Sequence, residues 1–396
     1  MSLSMIVRDE AASLADCLAS VRGFVEEMVV VDTGSVDDTM AIATAAGAVV
    51  HQLRWPGDFA AARNAALGWV TGDWVLVLDA DERLQPEAMA PLREAMAEPD
   101  VLLITLLRQE LGAQQSPYSS ISRLFRRHPA IRWSRAYHAL VDDSVENLRT
   151  VEPHWRILHC PVPALLHEGY GPQQIQARGK AQRLREAMEA ELQRNPADPY
   201  TCAKLGGLEI SSGDRARGVA LLRQGLAHCS EQAHPERYEL LLHLAMALGK
   251  DNPQDSATLY RQALALPLDP RLTLGARLNL ASQLLDQGRT PEAVGLAREA
   301  TGLAPELAHG WLQLGLCLRR NGDTAGAIAA YRQALTIEPG RSEGHQNLAV
   351  ALLVTGDVLG ARRHFQEAIQ HLELQGRGDE AAALRRSAGR LVKLEA

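Results

Sequence analysis

A spacing of 34 residues runs through the second half of this chain and restricts its fold more than any other feature. Leu280, Ala281, Leu284, Gly288, Ala293, Ala297, Ala300 and Pro305 are matched 34 positions on by Leu314, Gly315, Leu318, Gly322, Ala327, Tyr331, Ala334 and Pro339. Leu348, Ala349, Leu352, Gly356, Ala361, Phe365 and Ala368 repeat the pattern once more. A unit of this length holds two helices; its small residues let them approach and its large residues fill the gap to the next unit. No single unit buries its apolar face, so the units must stack. Looser copies at Tyr200–Cys229, with Leu205, Gly206 and Gly213, and at Arg237–Pro267, with Leu244, Tyr260 and Ala263, bring the expected array to about five units over residues 198–378. Residues 379–396, amphipathic from Asp379 to Leu394, read as a capping helix. An array of this kind curves and offers a concave groove to an extended peptide, a helix or a second copy of itself.

The first 170 residues follow a different rule. Apolar, β-branched runs at Leu3–Val7, Met28–Asp32, Ala48–Leu53 and Trp74–Leu78 alternate with helical patterns that include Leu14–Val21, Thr39–Ala46 and Phe59–Val70. Val101–Leu107 is a further strand. Strands alternating with helices at short spacing predict an α/β domain built on a parallel sheet covered on both faces, with ligands at the carboxyl ends of the strands. Asp32 closes the second run, and Asp79, Asp81 and Glu82 close the fourth, so they should face one crevice. Carboxylates crowded at a strand end call for a cation.

With 396 residues the chain exceeds a single core, which also argues for two domains. A net charge of −7 and a pI near 6.0 exclude a general nucleic-acid binder. No segment reaches the roughly 20 apolar residues of an integral membrane helix. Cys17, Cys160, Cys202, Cys229 and Cys317 are odd in number and scattered, and no basic and apolar leader precedes the first strand; a cytoplasmic location is expected.

The segments SLSMIVRDEAASLADCLASV, VVVDTGSVDDT and AARNAALGWVTGDWVLVLDADE resemble the opening half of the family 2 glycosyltransferases with the GT-A fold. The likeness is strongest to bacterial members in which the transferase domain is joined to tetratricopeptide (TPR) repeats, whose pattern the 34-residue units follow. It covers roughly residues 3 to 180 of the transferase part and predicts a Rossmann-like, mostly parallel α/β domain over residues 1–172, a connecting helix over 173–197 and an all-α TPR superhelix.

What the resemblance implies is a nucleotide-diphosphate sugar donor, UDP-linked by expectation, bound with Mn or Mg. Asp81 corresponds to the nearer metal ligand, Asp79 to a carboxylate close to the ribose and the metal-bound water, and Asp32 to the group that reads the base. Glu10 and Arg63 correspond to nucleotide contacts. His167, in the segment Leu165–Gly171 that matches an H-x-G-Y element, corresponds to a further metal ligand, and Lys180 and Arg183 lie where a helix could close over phosphates. Taken singly, each residue has a plainer reading: Asp32 with Ser35, Asp37 and Thr39 as a helix cap, Asp79 and Asp81 as a solvated strand end, Arg63 as an exposed helix charge, His167 as a hydrogen-bonded core residue. Their joint occurrence in family order favours the donor site.

The acceptor half departs from the family. After the Arg123-Leu124-Phe125-Arg126 strand, a histidine–glutamate pair is expected, and this chain has His138 followed by Ala139. An inverting transfer needs a base to take the acceptor's proton. Asp142, Asp143 and Glu146 stand nearby as substitutes; the expected catalytic set is Asp81, Asp143 and His138. A readily ionised acceptor or a catalytically weakened domain would serve otherwise. The basic cluster Arg123, Arg126, Arg127, Arg132 and Arg135 reads either as outward strand charges or as contacts to an anion.

The function expected is therefore transfer of a sugar from a UDP-sugar to a peptide or protein held by the repeat groove, with a homodimer through the repeats as a further expectation. Two alternatives stand beside it. One is a polysaccharide or lipid-linked acceptor, with the repeats recruiting partners; the other is an adaptor whose transferase domain has lost activity, which Ala139 favours and the Asp79/Asp81 pair opposes.

Overall fold

The computed structural model describes residues 1–113, 116–168, 178–249 and 251–394, with backbone alone for 178–181 and 183. The chain divides into two compact units, the first built from residues 1–113 and 117–196, the second essentially from Ala197 to the end.

The first unit contains, in order, β1 (Ser2–Val7), α1 (Leu14–Ser20), β2 (Glu27–Asp32), α2 (Thr39–Ala45), β3 (Val49–Gln52), α3 (Phe59–Ala66), β4 (Trp74–Val77), β5 (Glu82–Leu84), α4 (Pro86–Ala97), β6 (Val101–Glu110), β7 (Tyr118–Arg126), α5 (Asp142–Val151), β8 (Arg156–His167) and α6 (Arg178–Arg194). The strands form one sheet in the order β3-β2-β1-β4-β7-β6-β8-β5. Its first four strands are parallel, as the alternating pattern requires; β7 and β5 run against the others, so the sheet is mixed.

Side-chain alternation assigns the two faces. Leu3, Met5, Val7, Val30, Leu76 and Leu78 pack with α1, α2 and α4 through Leu14, Leu18, Ala43, Ala88 and Leu92. Val29, Val31, Val75 and Val77 pack on the opposite face with Ala60 and Ala66 of α3 and Val145 and Leu148 of α5. Both faces are covered, which is why these strands read as continuous apolar runs.

Two differences from the sequence reading matter for the site. The fourth run, expected over Trp74–Leu78, stops one residue early and is followed by a further short strand: β4 ends at Val77, the chain turns with the Glu82 amide donating to the Asp79 carbonyl at 3.0 Å, and β5 begins at Glu82. The helix expected over Phe59–Val70 stops at Ala66, where Gly68 and Trp69 tighten the chain through bonds to the carbonyls of Ala65 and Ala66.

The second unit is a succession of helix pairs: α7 (Pro199–Ser212) with α8 (Arg215–His228), α9 (His234–Leu248) with α10 (Pro253–Leu264), α11 (Leu274–Asp286) with α12 (Thr290–Leu303), α13 (Ala308–Arg320) with α14 (Thr324–Ile337), and α15 (Ser342–Val354) with α16 (Val358–Leu374). A final helix, α17 (Gly378–Gly389), ends the stack and is shorter than the amphipathic stretch suggested. Asp198 caps α7, accepting the Thr201 amide at 2.9 Å. The small residues do what the 34-residue pattern implied. A Cβ on Gly315 would lie 2.4 Å from the ring of Tyr331, so the glycine of α13 is what admits the fully buried tyrosine of α14.

Candidate active site

The carboxyl end of β2 supplies a pocket. Asp32, 2 % exposed, accepts the amides of Gly34 (2.9 Å) and Ser35 (3.0 Å) on Oδ1, while Oδ2 is buried without a partner. The aspartate thus does cap the turn, and it keeps one acceptor in reserve. A cleft of about 420 Å³ opens beside it, lined by Thr33, Met40, Leu53, Arg54 and Trp55 among others. The neighbouring loop is tied to this turn: the Asp9 amide donates to Ser35, Val36 donates to Asp9 Oδ1, and the Glu10 amide donates to Thr39 Oγ1 at 2.8 Å.

Asp79 is held rather than turned outward. Arg63 Nη2 donates to Oδ1 at 2.6 Å and Arg123 Nη2 to Oδ2 at 3.0 Å, with both guanidiniums largely buried and lying over Trp133 at 4.8 and 5.8 Å. Burial acts to raise the Asp79 carboxyl, and Arg123 and Arg63 more than reverse it, holding it far below the usual carboxylate range. Arg63 is therefore not the exposed helix charge of the plainer reading. Arg123 reaches Asp79 because β7 carries a bulge: Ile104 pairs with Leu124 but Thr105 with Ser122, leaving Arg123 as the extra residue. The rest of the basic cluster is engaged locally. Arg126 donates to the carbonyls of Val101 and Glu98, Arg127 to Gly72, Arg132 to Ile131, and Arg135 pairs with Asp143.

Asp81 faces a histidine. His167 Nε2 lies 3.2 Å from Asp81 Oδ2, and its Nδ1 lies 2.5 Å from Glu110 Oε2. The pairing of β5 with β8 makes this contact, since Glu82 is directly opposite His167. Burial lowers the basicity of His167; hydrogen bonds to the Asp81 and Glu110 carboxylates outweigh it and raise the pKa to about 9. Glu10 completes the negative surroundings: burial raises its pKa, Ser13 opposes, and Asp81, Asp79 and Asp37 raise it further.

Among the described residues no three His, Cys, Asp or Glu side chains converge tightly enough to hold a metal by themselves. Asp81 and His167 form a two-ligand set with the imidazole oriented by a carboxylate on its other nitrogen. That donor set fits a Mn or Mg ion that completes its shell with phosphate oxygens and water. Asp79, with both oxygens on arginines, fits such an ion less well than Asp81 does.

The expected acceptor-side residues separate. Asp143 accepts from Ser134 at 2.5 Å and from Arg135; burial acts to raise its pKa, and these two partners hold it low. Asp142 is the opposite case: burial raises its pKa, and Ser122, next to Arg123 on the bulge, donates to it at 2.7 Å in partial opposition. His138 is exposed, in a left-handed conformation (φ 53°), and Ala139 packs against the core beneath the sheet. The Gly169–Gly171 element lies outside the described residues, and the Lys180 and Arg183 side chains lie outside them too.

The family described as Glycosyl transferase family 2 matches residues 2–154, and Tetratricopeptide repeat matches residues 240–308 and 278–342. A TPR repeat-containing protein of Synechococcus elongatus is 48% identical over 309 residues, covering 77% of this chain and 76% of that protein. The chain is a family 2 glycosyltransferase carrying tetratricopeptide repeats. An uncharacterized glycosyltransferase of Rickettsia felis is 30% identical over 154 residues, 37% of this chain and 54% of that one. The SPbeta prophage-derived glycosyltransferase SunS of Bacillus subtilis is 24% identical over 203 residues, 50% and 46% of the two chains. The chain spans about half the length of these two glycosyltransferases. Among solved structures, MamA of Desulfovibrio magneticus RS-1 aligns with 44% of this chain and 97% of its own at 20% identity and a TM-score of 0.38. No helix among the described residues is long and apolar enough to cross a membrane.

In this transferase, sequence reasoning missed Arg108 and Glu110 as parts of the site and read Glu82 as one of the carboxylates gathered for a cation. Glu82 is 0 % exposed and its Oε2 accepts the Asp79 amide at 2.9 Å, so it is a structural anchor of the turn rather than a cation ligand. Arg108 and Glu110, two apart at the end of β6, share one face, and that spacing at a strand's carboxyl end was the available signal.

Proposed function

We propose that this transferase moves a sugar from a UDP-linked donor, bound with Mn or Mg, to a peptide or protein presented by its repeats. The observation that carries the reading is the buried, unpartnered Oδ2 of Asp32 at the wall of a 420 Å³ cleft. An acceptor kept dry and unsatisfied costs about 1–3 kcal/mol, which an incoming N–H donor such as that of uracil recovers. Trp55 and Arg54 line the same cleft, apolar surface for a base and a positive group for an anion.

Asp81 and His167 would hold the cation. Its chemistry when bound is to neutralise the charge that develops on the departing diphosphate. The Asp79–Arg63–Arg123 assembly keeps the turn that carries Asp81 rigid. Asp142 suits the base better than Asp143: its raised pKa favours uptake of a proton, whereas Asp143 is already committed to Arg135. Inversion at the anomeric carbon follows from the lack of an evident nucleophile in the family pattern. The protein acceptor rests on the repeats, whose kind of array binds other proteins.

Calorimetric titration with UDP, CDP, GDP and ADP, each with and without Mn, tests the donor. UDP binding strengthened by Mn is the expected result; no binding of any nucleotide removes the reading. Mass spectrometry of proteins that lose a sugar when the gene is deleted tests the acceptor, and a change confined to polysaccharide would replace the peptide by a glycan.

A further inference from the structure

We infer that Glu110 is a positioning residue for the cation site: it fixes the ring of His167 against Asp81, and Arg108 and Ser119 fix Glu110 in turn. The inference rests on the proposal that Asp81 and His167 hold a divalent ion.

The sheet places these groups in one row. Glu110 on β6 is the register partner of His167 on β8, and His167 is the partner of Glu82 on β5. Arg108, two residues before Glu110 and on the same face, reaches both flanking carboxylates: Nη1 donates to Glu82 Oε1 at 2.7 Å and Nε to Glu110 Oε1 at 2.8 Å. Glu110, 6 % exposed, also accepts from Ser119 at 2.5 Å, so Oε1 is held by Arg108 and Ser119 and Oε2 is left for His167 Nδ1. With Oε1 pinned, the carboxylate cannot swing away, and the histidine on Oε2 has one ring orientation. Without an ion Nε2 carries a proton toward Asp81; once an ion replaces that proton, the carboxylate on Nδ1 selects the tautomer that keeps its hydrogen there and turns the Nε2 lone pair to the ion beside Asp81. The other end of the row closes on the same turn, because Glu82 Oε2 accepts the amide of Asp79. One buried charge chain thus sets both the histidine and the turn that bears Asp81.

A neutral or shortened residue at 110 should loosen the ring without touching the Asp32 pocket. Mn binding in the presence of UDP, followed by the electron paramagnetic signal of free Mn, reads this without turnover. Glu110→Gln is expected to weaken Mn about 10- to 100-fold, with UDP affinity in the absence of metal unchanged, and Glu110→Asp to restore part of the loss. Nitrogen NMR of the wild type with diamagnetic Mg is expected to show His167 protonated on Nδ1, and the Gln variant a mixture of tautomers. Mn affinity within twofold of wild type, or an unchanged tautomer, overturns the role of Glu110 while leaving the ion at Asp81 and His167 standing. A wild-type protein that takes up no Mn with UDP overturns both.

Discussion

Asp81 and His167, separated by 86 positions, meet at 3.2 Å because a three-residue strand, β5, leaves the Asp79–Asp81 turn and pairs antiparallel with the end of β8. The carboxylate motif therefore has two differently built halves. Asp79 is neutralised by buried arginines, and Asp81 shares a histidine with Glu110.

Replacing the two aspartates should separate function from stability. Asp81→Ala removes one contact at a partly exposed carboxylate, so melting temperature is expected to stay within a few degrees while Mn-dependent UDP binding and turnover are lost. Asp79→Ala leaves Arg63 and Arg123 facing each other without their anion. A fully buried pair would lose about 3–5 kcal/mol; because the Asp79 side chain is 37% exposed, solvent screening reduces the expected loss to about 1–3 kcal/mol. Thermal and urea unfolding of both variants, beside a Mn–UDP titration, checks the contrast.

Asp32→Asn keeps an oxygen for the Gly34 and Ser35 amides but turns the spare acceptor into a donor. Loss of a charged acceptor for a base N–H is worth about 1.5–3 kcal/mol, so UDP affinity should fall about 10- to 100-fold with little change in melting. Unchanged affinity would show that the base lies elsewhere.

Asp142→Asn should lower kcat by about 10²- to 10⁴-fold, whereas Asp143→Asn should change it only several-fold. Burial raises the Asp142 pKa above the ordinary aspartate value, so in the wild type the base is lost by protonation as pH falls and the acid limb of the rate profile should lie above the usual carboxylate range. Donor hydrolysis to UDP, followed against pH, gives the readout without a known acceptor.

Gly315→Ala would drive a methyl into the ring of Tyr331 and is expected to cost about 1–3 kcal/mol by overpacking. Adding Tyr331→Leu should recover part of that loss, since the smaller side chain vacates the contact. A double-mutant cycle by thermal unfolding measures the coupling.

In the repeats, burial chiefly, with His345 and Arg363 adding to it and Glu367 opposing, lowers the His364 pKa to about 4. The folded value lies below the unfolded 6.5, so the unfolded chain binds the extra proton between the two, and this contribution to stability is full above about pH 6.5 and lost as pH falls toward 4. His364→Gln should flatten the fall of melting temperature over that interval; an identical slope would remove His364 from the account.

Local pattern was enough for β1, β2 and β4 and for the placing of Asp32 and Asp81 at strand ends, because strands covered on both faces must be apolar throughout. It misjudged the length of the fourth strand, since an apolar residue such as Leu78 looks the same inside a strand and at the start of a turn. The basic stretch from Arg123 to Arg135 was ambiguous for a similar reason. Which arginine enters the site depends on a one-residue bulge in the pairing of β6 with β7, and pairing is not written in either strand alone. Ala139 read as a missing base; in place it is a small residue packed against the core, and the half-buried carboxylate nearby is Asp142.

By itself the sequence determined the two architectures, through a 34-residue period that only stacked helix pairs satisfy and a strand–helix alternation that only a covered sheet satisfies. It determined too that carboxylates gather at the strand ends. Which partner each of them takes was decided by tertiary structure alone: sheet registry carries Glu110, His167 and Glu82 into one row and the β7 bulge turns Arg123 onto Asp79. Ionic partners are chosen by distance in space, and here that distance is set by backbone pairing between segments up to 86 residues apart.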